Sequence, residues 1–189
     1  LVYRGDKAVL FSDSGQAFLM YAFHGRTGVS MGDPVGDEAG VRELAWRFRE
    51  ICDRAGMWCA FFEVGPQRRE LYASLGLALT PLGSEARVDL RQFTLDDPAY
   101  KGLRHERSRL ARQGCIFEIV PAEAVPPLLP QLQAVSQAWL AAKPTAEKQF
   151  STARFDPDYL ARFPVAVVGQ GAQVLAFANL WLGAGHQEL

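Results

Sequence analysis

Two short apolar runs, Ala8 to Phe11 and Ala17 to Phe23, flank the turn formers Ser12-Asp13-Ser14-Gly15, a pattern that predicts an antiparallel hairpin. A third strand is expected over Gly28 to Met31. From about Asp37 to Ala55 the period changes. Val41, Leu44, Ala45, Phe48, Ile51 and Cys52 recur at helical spacing while Arg42, Glu43, Arg47, Arg49 and Glu50 fill the other side, which describes an amphipathic helix with Gly56 as its stop. The loop ahead of it, GDPVGDEAG, has the glycines of a phosphate-cradling turn. It also has Asp33, Asp37 and Glu38, which satisfy a helix N-terminus themselves and leave little welcome for an anion. Trp58 to Val64 is almost continuously apolar, as for a central strand covered on both faces. A short helix with Tyr72 and Leu75 turned inward, a break at Gly76 and another strand follow.

Beyond Ser84 the pattern predicts a strand with Arg87 and Asp89 on one face and Val88 and Leu90 on the other. The helix after it is basic and ends at Gly114, and Cys115 to Val120 is a strand. Pro126, Pro127 and Pro130 restrict the start of a helix whose stripe of Leu132, Val135, Trp139 and Leu140 reads as core. That helix should stop near Lys143, because Pro144 disfavours helical geometry before it, and Thr145 can cap a new turn. FDPDYLARF reads as a capped short helix, and Val165 to Val168 pairs with Val174 to Leu180 across GQGAQ. This strand, glycine turn, strand sequence echoes the opening of the chain, so a second copy of the same fold is expected to start near Phe163. Gln187 to Leu189 would enter a further paired strand, which predicts a chain that is a piece of something longer.

Composition narrows the classes. Of 189 residues, 49% are apolar and 22% charged, which describes a folded chain with a proper core, one generous domain or one complete and one partial unit. The net charge is -1, so a polyanion must be met by a local patch. Lys101, Arg104, Arg107, Arg109 and Arg112 form the strongest one, suited to nucleic-acid phosphates, to an anionic membrane or lipid head group, or simply to solvent. Cys52, Cys59 and Cys115 make no CxxC pair and leave one over, favouring a reducing compartment over a disulfide framework or a zinc site. His24, His105 and His186 are scattered, giving metal chemistry little support. No apolar run is long enough to span a bilayer, and no signal peptide opens the chain. The densest chemistry lies in Trp139 to Phe155, where Glu147, Lys148, Phe150, Ser151 and Arg154 share one short segment. A capped surface helix with a Glu/Lys pair would read similarly.

The succession of elements in the first half resembles the GNAT-type acyltransferase fold, and LYASLGL is similar to a helix-to-strand corner of that fold. The acyl-CoA loop of the Q/R-x-x-G-x-G/A kind is missing, so no coenzyme A is expected. SEARVDL (Ser84 to Leu90), the LR of KGLRHERSR with the following RQG, SQAWL (Ser136 to Leu140), EKQFSTARFDPDYL (Glu147 to Leu160) and AFANL (Ala176 to Leu180) together resemble the blocks of the aminoacyl-phosphatidylglycerol synthases. These are the soluble catalytic domains of the multiple peptide resistance factors. The resemblance implies an α/β (α+β) chain of tandem GNAT-like units: a first unit over 1–95, connecting helices over 96–162, and an incomplete second unit over 163–189. It implies transfer of lysine or alanine from aminoacyl-tRNA to a hydroxyl of phosphatidylglycerol, without a cofactor. The domain would be fused to a transmembrane region on the cytoplasmic face of the bacterial inner membrane, and its product would weaken attraction of cationic antimicrobial peptides. The chain departs from the family pattern at Gln149 and Ala153, where glycines are expected, and at Ser108, where asparagine is common. The family's second unit carries much of the catalytic constellation, which puts turnover by this chain alone in question.

On that reading Glu147 is the general base or holds the aminoacyl ammonium. Lys148 and Arg154 hold the lipid phosphate, with Ser151 beside them, and Phe150 lines the acyl-chain entrance. Arg104 and Arg107 face tRNA or the membrane surface. Asn179 orients a reacting carbonyl or is an ordinary satisfied strand amide. The rivals are a peptidoglycan-type aminoacyltransferase, a non-catalytic module for lipid or RNA and, last, a CoA-dependent N-acetyltransferase.

Overall fold

The computed structural model describes residues 2–84, 86–143, 150 and 154–183. The chain divides into two compact units, Leu1–Glu85 and Ala86–Leu189.

In the first unit β1 (Ala8–Phe11), β2 (Ala17–His24), β3 (Thr27–Met31) and β5 (Trp58–Phe62) form a sheet in that order, and the two-residue β4 (Val35–Gly36) pairs with the start of β2. The expected hairpin is present, with Leu10 opposite Leu19 and Phe11 opposite Phe18. Strands β3 and β5 run parallel, so the chain between them must cross over the sheet. That crossover is α1 (Glu38–Arg54), which buries Val41, Leu44, Ala45, Phe48 and Cys52. Leu44, Phe48 and Cys52 pack with Ala17 and Leu19, each large side chain contributing about 1.5–3 kcal/mol of hydrophobic burial. The contact is close: a Cβ on Gly28 would lie 2.5 Å from Cys52 Sγ, so only glycine lets α1 approach there. Asp37 caps α1 by accepting from the Gly40 amide at 3.2 Å, and Gly56, at φ +62°, releases the chain after it. Behind α1, Val41 and Ala45 pack on Leu71, Tyr72 and Leu75, the last three carried by α2 (Arg69–Ser74) and its C-cap.

Three expectations fail. The apolar run from Trp58 is not a central strand, since β5 closes the order of the sheet and Trp58 is 76% exposed. The strand ends at Glu63, which has a positive φ of 59°. No strand follows Gly76 in residues 77–84; Pro81 lacks a ladder donor, and Leu82 faces solvent. Residues 86–90 are not a strand either, and Val88 and Leu90 are exposed. Asp89 instead folds back onto Arg91, accepting from its amide at 3.0 Å and from its guanidinium, a local bond that competes with a ladder.

The second unit opens with α3 (Lys101–Arg112), which buries none of its residues. Strands β6 (Cys115–Val120), β7 (Val165–Gln170) and β8 (Gln173–Asn179) form an antiparallel sheet in that order. This sheet takes its first strand from Cys115, well ahead of Phe163. Two 3-10 turns at Ala122–Ala124 and Pro126–Leu128 lead into α4 (Leu129–Ala141). Leu132 and Val125 pack with Val120, Val165 and Val167. The rest of the α4 stripe is less buried than its spacing suggests: Val135 and Leu140 are half-buried, and Trp139 is 53% exposed. Beyond β8 no described strand continues the sheet for α4 to cover. The short α5 (Pro157–Leu160) is capped by Asp156, which accepts from the Tyr159 amide. Among the described residues no helix is long and apolar enough to cross a membrane. Gln187–Leu189, read as a further strand, lie outside the described residues.

Candidate functional site

Of the residues assigned to chemistry from the sequence, Glu147, Lys148 and Ser151 lie outside the described residues, as do Thr145, Gln149 and Ala153. Phe150 is half-buried and Arg154 exposed where the segment returns to the sheet. Phe155 then packs edge-on against Phe177 of β8, with centroids 6.4 Å apart and an interplanar angle of 88°. Tyr159 of α5 packs on Phe163 at 5.0 Å and edge-on against Trp181 at 6.4 Å.

Asn179 lies between those two aromatic contacts. Residues 177 and 179 alternate along β8 (Gln173–Asn179), which puts them on one side of it. Asn179 stands opposite Val165 in register, and the next amide, Leu180 N–H, donates to Pro164 O at 2.9 Å. The Asn179 Nδ2 atom is buried and has no hydrogen-bond partner among the described residues. A buried donor left unmatched costs about 1–3 kcal/mol, and such a group is preorganised to donate to whatever oxygen enters.

The basic helix is partly spent on its own unit. The Arg104 guanidinium donates through Nη1 to Leu95 O and to Asp97 O, clamping the turn at Pro98–Tyr100 onto α3. Arg109 pairs with Glu106 at 2.6 Å. Lys101, Arg107 and Arg112 are exposed and remain as the outward charge of this helix.

The acidic loop at α1 serves the structure, as its composition suggested. Glu38 takes Arg68 at 2.8 Å and Arg42 at 3.3 Å, and the hydrogen bond from Arg68 is the main cause holding its carboxyl below the usual range. Asp33 accepts from Gly65 N–H at 3.0 Å and from the Tyr72 hydroxyl at 2.5 Å. Burial, then that carboxylate, pushes the Tyr72 phenol upward. Sequence reasoning placed Tyr72 inward but missed this bond, because the two residues are far apart in the chain. Cys52 and Cys59 likewise meet across the α1–sheet contact, and burial pushes the Cys59 thiol up to about 12, the signature of an inert core thiol.

The whole chain, residues 1–189, matches the family model described as phosphatidylglycerol lysyltransferase, C-terminal. Over 181 residues, 95% of the chain, it is 33% identical to a phosphatidylglycerol lysyltransferase of Staphylococcus xylosus and 32% identical to one of Staphylococcus aureus strain MRSA252. It spans only 21% of the length of these relatives. Among solved structures it resembles the C-terminal domain of a chain assigned as lysylphosphatidylglycerol synthetase from Agrobacterium fabrum, with TM-score 0.88 and 44% identity, covering 95% of this chain and 57% of that one. It also resembles L-PGS from Bacillus licheniformis, with TM-score 0.83 and 32% identity over 93% of this chain and 54% of that one. The mixed α/β sheets and these neighbours agree with the GNAT-like fold read from the sequence. Matched from its first residue to its last, the chain belongs to the phosphatidylglycerol lysyltransferase C-terminal family.

Proposed function

We propose that this chain is part of an aminoacyltransferase that moves a lysyl or alanyl group from aminoacyl-tRNA to phosphatidylglycerol. The observation that carries the reading is the family match over all 189 residues. The donor is an activated ester, so the reaction needs a deprotonated acceptor and support for a tetrahedral oxyanion rather than an energy source. Glu147 takes the proton of the lipid glycerol hydroxyl. The alkoxide attacks the ester carbonyl carbon, and the oxyanion collapses with loss of the tRNA ribose oxygen, which recovers the proton. The unmatched Asn179 amide supports the oxyanion role, being a buried donor at the end of β8. Lys148 and Arg154 hold the lipid phosphate, Ser151 adds a hydrogen bond to it, and Phe150 meets the acyl chains. Arg107 faces tRNA, while Arg104 shapes the helix that presents it.

In the complete protein the chain is joined to a transmembrane region and works at the cytoplasmic face of the bacterial inner membrane, where its product lowers attraction of cationic antimicrobial peptides. The sheet β6 to β8 belongs to a second GNAT-like unit in this reading. The test supplies the complete protein with individually charged tRNAs and phosphatidylglycerol vesicles, separating the lipids by thin-layer chromatography. Aminoacylated lipid is expected. Asn179→Ala should lower turnover about 10²–10³-fold with little change in KM, as for loss of one oxyanion donor. Transfer to a peptidyl amine with no lipid product would replace this reading by the peptidoglycan-type one.

A further inference from the structure

We draw no further inference here: the strongest candidate, the exposed apolar patch of Phe117 and Ile119 on the face of the β6–β8 sheet away from α4, carries nothing, because nothing in the structure shows what covers it in a chain that spans only 21% of the length of its relatives.

Discussion

Each unit of this chain builds a sheet and lays one helix on it, but the two helices finish the work differently. Helix α1 buries six residues, Gly40 among them, and comes so close that Gly28 and Cys52 leave no room for a methyl group. Helix α4 buries only Leu132, and an open groove lies between it and β8. Composition explains much of the contrast. The α1 stripe is Val, Leu, Phe and Cys, large enough to reach the sheet at every turn, while α4 presents Ala134 and Ala138 where the groove runs. A closed helix–sheet contact stabilises a scaffold; a half-open one leaves apolar side chains uncovered and contributes less. The chemistry sorts the same way: the carboxylates around α1 are committed to caps and ion pairs, whereas the unmatched Asn179 donor lies on the sheet that α4 covers.

The widest gap between the units should appear when a side chain is deleted from each helix. Phe48→Ala removes a fully buried ring and should cost about 3–5 kcal/mol in urea unfolding. Val135→Ala beside the groove should cost less than about 1.5 kcal/mol, because its surroundings are open on one side. Equal losses at the two positions would mean that the groove closes in solution. Adding atoms inverts the test. Gly28→Ala brings a Cβ to 2.5 Å from Cys52 Sγ and should cost about 1–3 kcal/mol, most of it recovered when Cys52→Ala is added. Ala138→Leu adds three carbons into the groove and should change stability by less than about 1 kcal/mol. A double-mutant cycle at Gly28 and Cys52 showing no coupling would contradict the close packing of α1.

Next in size is the hydrogen bond that joins the turn after β3 to α2. Tyr72→Phe leaves an Asp33 oxygen without its donor in a half-buried position and should cost about 1–3 kcal/mol. No matching long-range polar bond ties α4 to its sheet apart from Gln131 and Val174 among the described residues, and Gln131→Ala should cost less.

Local signals made α1 legible. Six apolar positions at helical spacing, an aspartate at the cap and a glycine at the stop each point to the same element; the helix forms there, and five of the six positions are buried, with Ile51 half-buried. The hairpins β1–β2 and β7–β8 were legible for the same reason, since strand and turn lie side by side in the chain. Trp58 was misread because apolarity reports what a residue tolerates, and sheet position depends on partners elsewhere in the sequence. Val88 and Leu90 alternate correctly, but alternation supplies no partner, and Asp89 found Arg91 first. Trp139 sits on a true helical stripe, yet exposure depends on how far the sheet extends beneath it. Asn179 was visible as an amide in an apolar strand. Whether that amide is satisfied is a property of three-dimensional surroundings, and only coordinates supply it.

The smallest expected difference concerns acid. Glu38 in the first unit and Asp89 in the second both have carboxyls held below their ordinary values by an arginine. A carboxyl depressed in the folded state contributes stability above its unfolded pKa, and that contribution disappears as pH falls through the folded value. Both groups therefore favour the folded chain at neutral pH and cease to do so in acid, as pH falls below the ordinary carboxyl range. Their partners differ in reach. Glu38 binds Arg68, thirty residues away, and so links the start of α1 to the turn before α2, while Asp89 binds Arg91 two residues on, a contact the unfolded chain also samples. Only the long-range pair should register as a change in global stability. Urea unfolding across the acid range should show a shallower loss of stability in Glu38→Gln than in the unaltered chain, and no change in Asp89→Asn. Both carboxylates are exposed, so the Glu38 effect should shrink with added salt. Parallel acid profiles for Glu38→Gln and the unaltered chain would show that the first unit draws its stability from the packed α1 face alone.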